Sequence, residues 1–123
     1  MELNITNSEY VTVGDIESIN VLDTYFLSDR VARIYTTMTR GNDFLTYKEV
    51  KKKLIRNIIL SDEAPVKIGL ERKRVFYFGN LIIQTNEEEH SICYIDNREG
   101  NYRFKLNREK RKALNEIMRI EEK

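Results

Sequence analysis

From Arg72 to Phe104 the chain reads RKRVFYF, Gly79-Asn80, LIIQTN, an acidic triplet, HSICYIDN and NYRF, so short apolar runs are parted by turn signals. Residues 75–78 and 81–85 flank Gly79 and Asn80, residue types that tolerate the positive φ of a tight two-residue turn, and the spacing predicts a β-hairpin. Residues 92–95 predict a further strand. Val66, Ile68 and Leu70 alternate with Lys67, Gly69 and Glu71, the mark of a strand with one buried face, and Tyr102, Phe104 and Leu106 alternate likewise beyond a turn over 97–101.

Elsewhere the period changes to that of helices. Between Asp23 and Met38, the apolar residues Phe26, Leu27, Val31, Ile34, Tyr35 and Met38 recur at spacings of three and four, which predicts one helix with Arg30, Arg33 and Arg40 off its buried face. Thr46 and Glu49 have capping-box spacing, so a second helix starts there, with Val50, Leu54, Ile55, Ile58 and Ile59 inward and Lys48, Lys51, Lys52, Lys53 and Arg56 outward. Pro65 ends it. Asn107 caps a last helix that turns Ala113, Leu114, Ile117 and Met118 inward. Residues 1–20, with Leu3 and Ile5 alternating and a β-prone run from Tyr10 to Val13, predict a short strand or an ordered arm. The expected fold is α+β: two N-terminal helices, an antiparallel meander of four to five strands and a C-terminal helix, in a single domain spanning residues 1–123.

Composition fits a soluble globular protein, at 41% hydrophobic and 33% charged residues. Because 21 basic and 20 acidic side chains leave a formal net charge of +1, any polyanion site has to be a local patch. The lone Cys93 cannot form an internal disulfide, and with a single His90 it cannot complete a zinc site, so neither metal nor cofactor is expected. No apolar run reaches the roughly 18 residues that a membrane span needs, and the N-terminus lacks the pattern of a signal peptide. The cytoplasm is the expected compartment.

None of the five glycines builds a phosphate-binding loop. Strand alternation would turn His90 and Cys93 to opposite faces, against a nucleophile-base pair, and the carboxylates of Glu87, Glu88 and Glu89 read as a solvated turn. Positive charge remains. Arg103, Lys105, Arg108, Lys110, Arg111 and Lys112 face only Glu109 within their stretch, which fits either solvated element faces or a phosphate-holding patch. Tyr77, Tyr94 and Tyr102 fit either half-buried rings or a platform for bases.

The succession F-L-S-D-R-V-A-R, T-Y-K-E-V-K-K-K-L-I, R-K-R-V-F-Y-F-G-N-L-I-I-Q-T and S-I-C-Y-I-D-N-R resembles the small RelE-like endoribonuclease superfamily, which also takes in barnase-type and colicin-type ribonucleases. Some members are phage or plasmid proteins that cleave messenger RNA. The resemblance runs over residues 26–98 and implies metal-independent attack of a ribose 2′-hydroxyl on the adjacent phosphate, helped by cations and a proton carrier. It implies Arg33 and Arg74 with His90 or Tyr94 as catalytic and Arg30, Arg72 and Arg98 as gripping phosphate, and beside it Tyr77 stays available to stack on a base from its place on the strand. Residues 26–33 carry no histidine, where many members place one on the first helix, and this departure fits a relative that binds without cleaving.

Ordinary charge pairing accounts for part of the same set: Arg72, Lys73 and Arg74 with Glu87 to Glu89 across the hairpin, and His90 with Glu88 or Glu89. Two functions therefore stand side by side. One is an RNA-cleaving or RNA-contacting protein of mobile-element type, whose partner is RNA. The other is a non-enzymatic interaction protein, such as an inhibitor, immunity partner or phage regulator, which docks a host or cognate protein through its sheet face or an edge strand. They part on whether the cations and His90 converge in one cleft.

Overall fold

The computed structural model describes residues 9–39, 42, 44–65, 67–69, 72–97 and 104–122. The fold is α+β. Its elements are α1 (Val13–Asp23), β1 (Phe26–Leu27), α2 (Asp29–Met38), α3 (Tyr47–Leu60), β2 (Asp62–Glu63), β3 (Lys73–Phe78), β4 (Leu81–Asn86), β5 (Ser91–Asn97) and α4 (Arg108–Met118). The strands form one sheet in the order β1-β5-β4-β3-β2, in which β1 runs parallel to β5 and every other pairing is antiparallel.

The hairpin forms where the turn chemistry places it. Gly79 takes φ +59°, and Phe78 pairs directly with Leu81. Thr46 and Glu49 close the expected capping box on α3, and Asn107 caps α4 by accepting from the Lys110 backbone N–H. α3 is the hub, with Leu54 and Ile55 fully buried and α1, α2, α4 and β3 all packed against it. Phe76, Leu81, Ile83, Ile92 and Ile95 line the sheet face turned to these helices.

Several expectations give way. Residues 13–23 are helical because Thr12 and Asp15 make a second capping box, so the β-prone run from Tyr10 leads into α1 instead of a strand. The single helix expected from Asp23 to Met38 is broken: Phe26 and Leu27 join the sheet, and Ser28 starts α2 by accepting from the Val31 N–H. Three helices thus precede the hairpin. Ile68 is fully exposed and outside any strand, while Val66 and Leu70 lie outside the described residues. The edge next to β3 is instead the acidic pair Asp62–Glu63. Phe104 and Leu106 lie in an irregular run before α4, and Tyr102 and Arg103 lie outside the described residues.

An irregularity in β5 redirects its side chains. Gln84 pairs with Tyr94 but Thr85 pairs with Ile92, so Cys93 is an extra residue in the ladder. Ile92 and Ile95 both reach the core, and Cys93 and Tyr94 are both exposed. Simple alternation from His90 to Cys93 therefore does not apply. His90 in any case precedes the strand, in the turn, with φ +48°.

Candidate functional site

The strands divide their side chains between two environments. On the side away from the helices, register places Val75 and Tyr77 of β3 beside Gln84 and Ile82 of β4, and these beside Tyr94 and Asp96 of β5. Asp62 stands opposite Tyr77, and Phe26, paired with Ser91, falls on the same side by register. Among the described residues no helix covers this face. A shallow depression of about 220 Å³ in it is lined by residues that include Lys67, Lys73, Val75, Tyr77, Gln84 and Tyr94. Phe26 is 65% exposed and Tyr94 38%, large values for aromatic rings. The Tyr94 hydroxyl donates to Asp96 at 3.1 Å.

β5 also keeps a free edge. β1 reaches only Ser91 and Ile92 of its seven residues, so among the described residues no strand pairs with the outer side of 93–97. Burial pushes the Cys93 thiol up, and its sulfur donates to the Gln84 carbonyl.

The residues expected to form a cleft separate into three groups. Arg74 lies on the helix side at the other end of β3, where its guanidinium grips Glu63 with two hydrogen bonds of 2.9 and 2.7 Å and reaches Glu87 at 3.6 Å. Glu87 also accepts from the Tyr25 hydroxyl and from Thr85 at 3.0 Å, and His90 sets its ring 5.6 Å from that of Tyr25. Burial pushes the Glu87 carboxyl up, and His90 draws it part of the way back. Arg72 pairs with Glu88 close by. Arg74, Arg72 and His90 thus gather around the turn carboxylates, and the cations there are already neutralised.

Tyr77 and Tyr94 stand on the opposite face of the sheet from Arg74. Arg30 and Arg33 lie exposed on α2, with no ion pair among the described residues, and Arg98 lies outside the described residues. Tyr25, which joins Glu87 to His90, carries no signal in the sequence, because its hydrogen bond to Glu87 spans 62 positions.

Two of the lysine-rich positions expected in solvent are inside. Arg56 is 1% exposed and Lys53 is 7%, and both face the segment that follows α4. Glu122 there accepts from Arg56 at 2.8 Å, from Arg111 at 3.0 and 2.9 Å, and from Asn115 at 2.9 Å. Asn57 holds the far edge of Arg56 through two hydrogen bonds, and Lys53 donates to the buried Asn42. Burial alone would raise the Glu122 carboxyl, but the Arg111 hydrogen bonds and the charge of Arg56 outweigh it and hold the group at about 2. Burial lowers both Arg56 and Lys53, with Glu122 opposing it.

Among the described residues no group of three His, Cys, Asp or Glu side chains is placed to hold a metal ion, and no helix is long and apolar enough to cross a membrane. The molecule is thus a small α+β protein with one sheet face sealed by helices and one carrying aromatic rings in the open. Residues 26–118 match the family model YorE, and the chain belongs to that family. No curated protein and no solved structure matches it.

Proposed function

We propose that this protein is a non-enzymatic interaction module that docks a partner protein on the open sheet face and along the free edge of β5. The observation that carries this reading is the set Phe26, Tyr94, Ile82, Tyr77 and Val75 on one sheet face, beside the part of β5 that no strand flanks among the described residues. The charges around it balance, Lys67 and Lys73 against Asp62 and Asp96, which suits a neutral protein surface better than a polyphosphate backbone. The partner supplies an extended segment whose backbone pairs with 93–97 and whose apolar side chains meet Tyr94 and Phe26. The cytoplasm, where Cys93 stays reduced, is the expected setting.

A specific observation favours RNA contact as the second reading. Lys48, Lys51, Lys52 and Arg119 line a groove of about 380 Å³ together with Asp23, so four cations share it with one carboxylate. Contact there requires no cleavage, since the proposed catalytic groups Arg74 and His90 are engaged with Glu63, Glu87 and Tyr25.

One experiment separates the two. A photocrosslinker on Cys93 should join the full-length protein to one defined protein, and Tyr94→Arg should abolish that product while Lys48→Glu/Lys52→Glu leaves it intact. A product lost on RNase treatment, or RNA binding that fails in the lysine variant, supports RNA contact instead. Cleavage of RNA in EDTA by the purified protein overturns the docking reading.

A further inference from the structure

The cations around Glu122 outnumber it. Among the described residues Lys53, Arg56 and Arg111 bring three positive charges to one carboxylate, which leaves two in excess in a cluster whose Lys53 and Arg56 are buried and whose Arg111 and Glu122 are partly exposed. The neighbouring charges do not correct this. A groove of about 230 Å³ at the edge of Lys53 carries Lys52 and Arg119 against Glu49 and Glu121, which cancel, and Glu49 already accepts from its cap residue Thr46.

The donors are fixed before any ligand arrives. Asn57 accepts from Arg56 Nε and Nη2 at 3.2 and 2.9 Å, and Nη1 donates to Asn115 Oδ1 at 2.8 Å while standing 2.8 Å from the Glu122 carboxylate. Arg111 and Asn115 lie one helical turn apart on α4 and reach the same group, Arg111 with both prongs of its fork. Glu122 comes to them only because the chain doubles back: Arg119 adopts φ 56°, ψ 50°, and the N–H groups of Arg119 and Ile120 bond to the carbonyls of Glu116 and Asn115. Glycine is the usual residue for such a turn, and a side chain there costs free energy. A strained turn thus delivers a single negative charge to a site that gathers three positive ones.

We infer that Lys53, Arg56, Arg111 and Asn115 form a binding site for a dianionic phosphate group, a phosphomonoester in form, and that Glu122 occupies it as an internal ligand. The phosphate replaces the carboxylate oxygens on Arg111 and Arg56, takes a closer bond from Lys53 than the 3.9 Å that Glu122 makes, and cuts the excess from two positive charges to one. The segment carrying Glu122 then swings free. Such a site takes a terminal phosphate in preference to the singly charged phosphodiesters of a nucleic-acid backbone, and so it differs from both docking surfaces proposed above.

The test is a titration of the full-length protein with inorganic phosphate at pH 8, where the dianion predominates, followed by thermal unfolding and calorimetry against chloride at matched ionic strength. Glu122→Ala should bind phosphate about tenfold or more tightly than the wild type, with a saturable rise in Tm, and adding Arg111→Ala should remove that gain. Acetate should restore less stability to Glu122→Ala than phosphate does. Equal rescue by acetate, or no phosphate-specific shift in the variant, overturns the inference. If Glu122→Ala does not fold, Glu122→Gln makes the same comparison, since its amide removes the charge and keeps the shape.

Discussion

The two sides of α3 and the sheet use charge and aromatic surface in opposite ways. Between α3 and α4, cations are drawn inside and held by Glu122, and nearly every donor has a partner. Across the sheet, Phe26, Tyr94 and Tyr77 share the face that the helices leave open among the described residues, beside the part of β5 that no described strand flanks. Polar interactions in the first region fix the fold, because a buried cation without its counter-charge is costly. In the second, exposed apolar area adds little to stability and is available for recognition. Substitutions should therefore divide cleanly, the inner side moving stability and the outer side moving binding.

The largest effect should come from Arg56→Ala, which leaves Glu122, Asn57 and Asn115 short of a partner in a buried place. Urea unfolding should register a loss of about 3–5 kcal/mol, and a loss under 1 kcal/mol would break the contrast. Leu54→Ala, at a site with no exposure, should cost about 2–5 kcal/mol through lost burial and the cavity left behind. Next comes acid. The Glu122 carboxyl is held at about 2 against an ordinary 4.5, so the unfolded chain binds its proton first as the pH falls. Its contribution is complete above about pH 4.5 and is lost on the way down to about 2, so Glu122→Gln should flatten the acid limb of Tm against pH. Smaller still, Tyr94→Ala should change stability by less than about 1 kcal/mol, while its loss from the exposed strip weakens partner capture about tenfold or more. Smallest is Arg119→Gly, expected to stabilise by roughly 0.5–1 kcal/mol by relieving the left-handed backbone.

The elements legible in the sequence were those whose signals are local. Gly79-Asn80 between alternating runs, Thr46 with Glu49, and Asn107 ahead of the Ala113, Leu114, Ile117 and Met118 stripe each act within a few residues. The errors came where a local signal was overridden. Phe26 and Leu27 fit a helical stripe, yet backbone pairing with β5 and the cap at Ser28 remove them from the helix. Asp62 and Glu63 have little strand propensity but sit at an edge, where Arg74 of β3 can pair with Glu63. The candidate site was less legible than the fold. Arg56 and Lys53 read as solvent-facing because their types usually are, and the carboxylate that allows their burial lies far along the chain. Arg72 and Arg74 follow the competing expectation of pairing with the turn glutamates, while the open outer face is visible only once register sets Phe26, opposite Ser91, on the same side of the sheet as Tyr94.

The ion cluster also sets an order on biosynthesis. Chains emerge N-terminal first, and α3 leaves the ribosome well before Glu122 has been made. Until that carboxylate arrives, burying Arg56 leaves its charge without the counter-ion it has in the finished fold, which costs free energy. The last increment of stability on that side of α3 therefore depends on a residue synthesised more than a hairpin later.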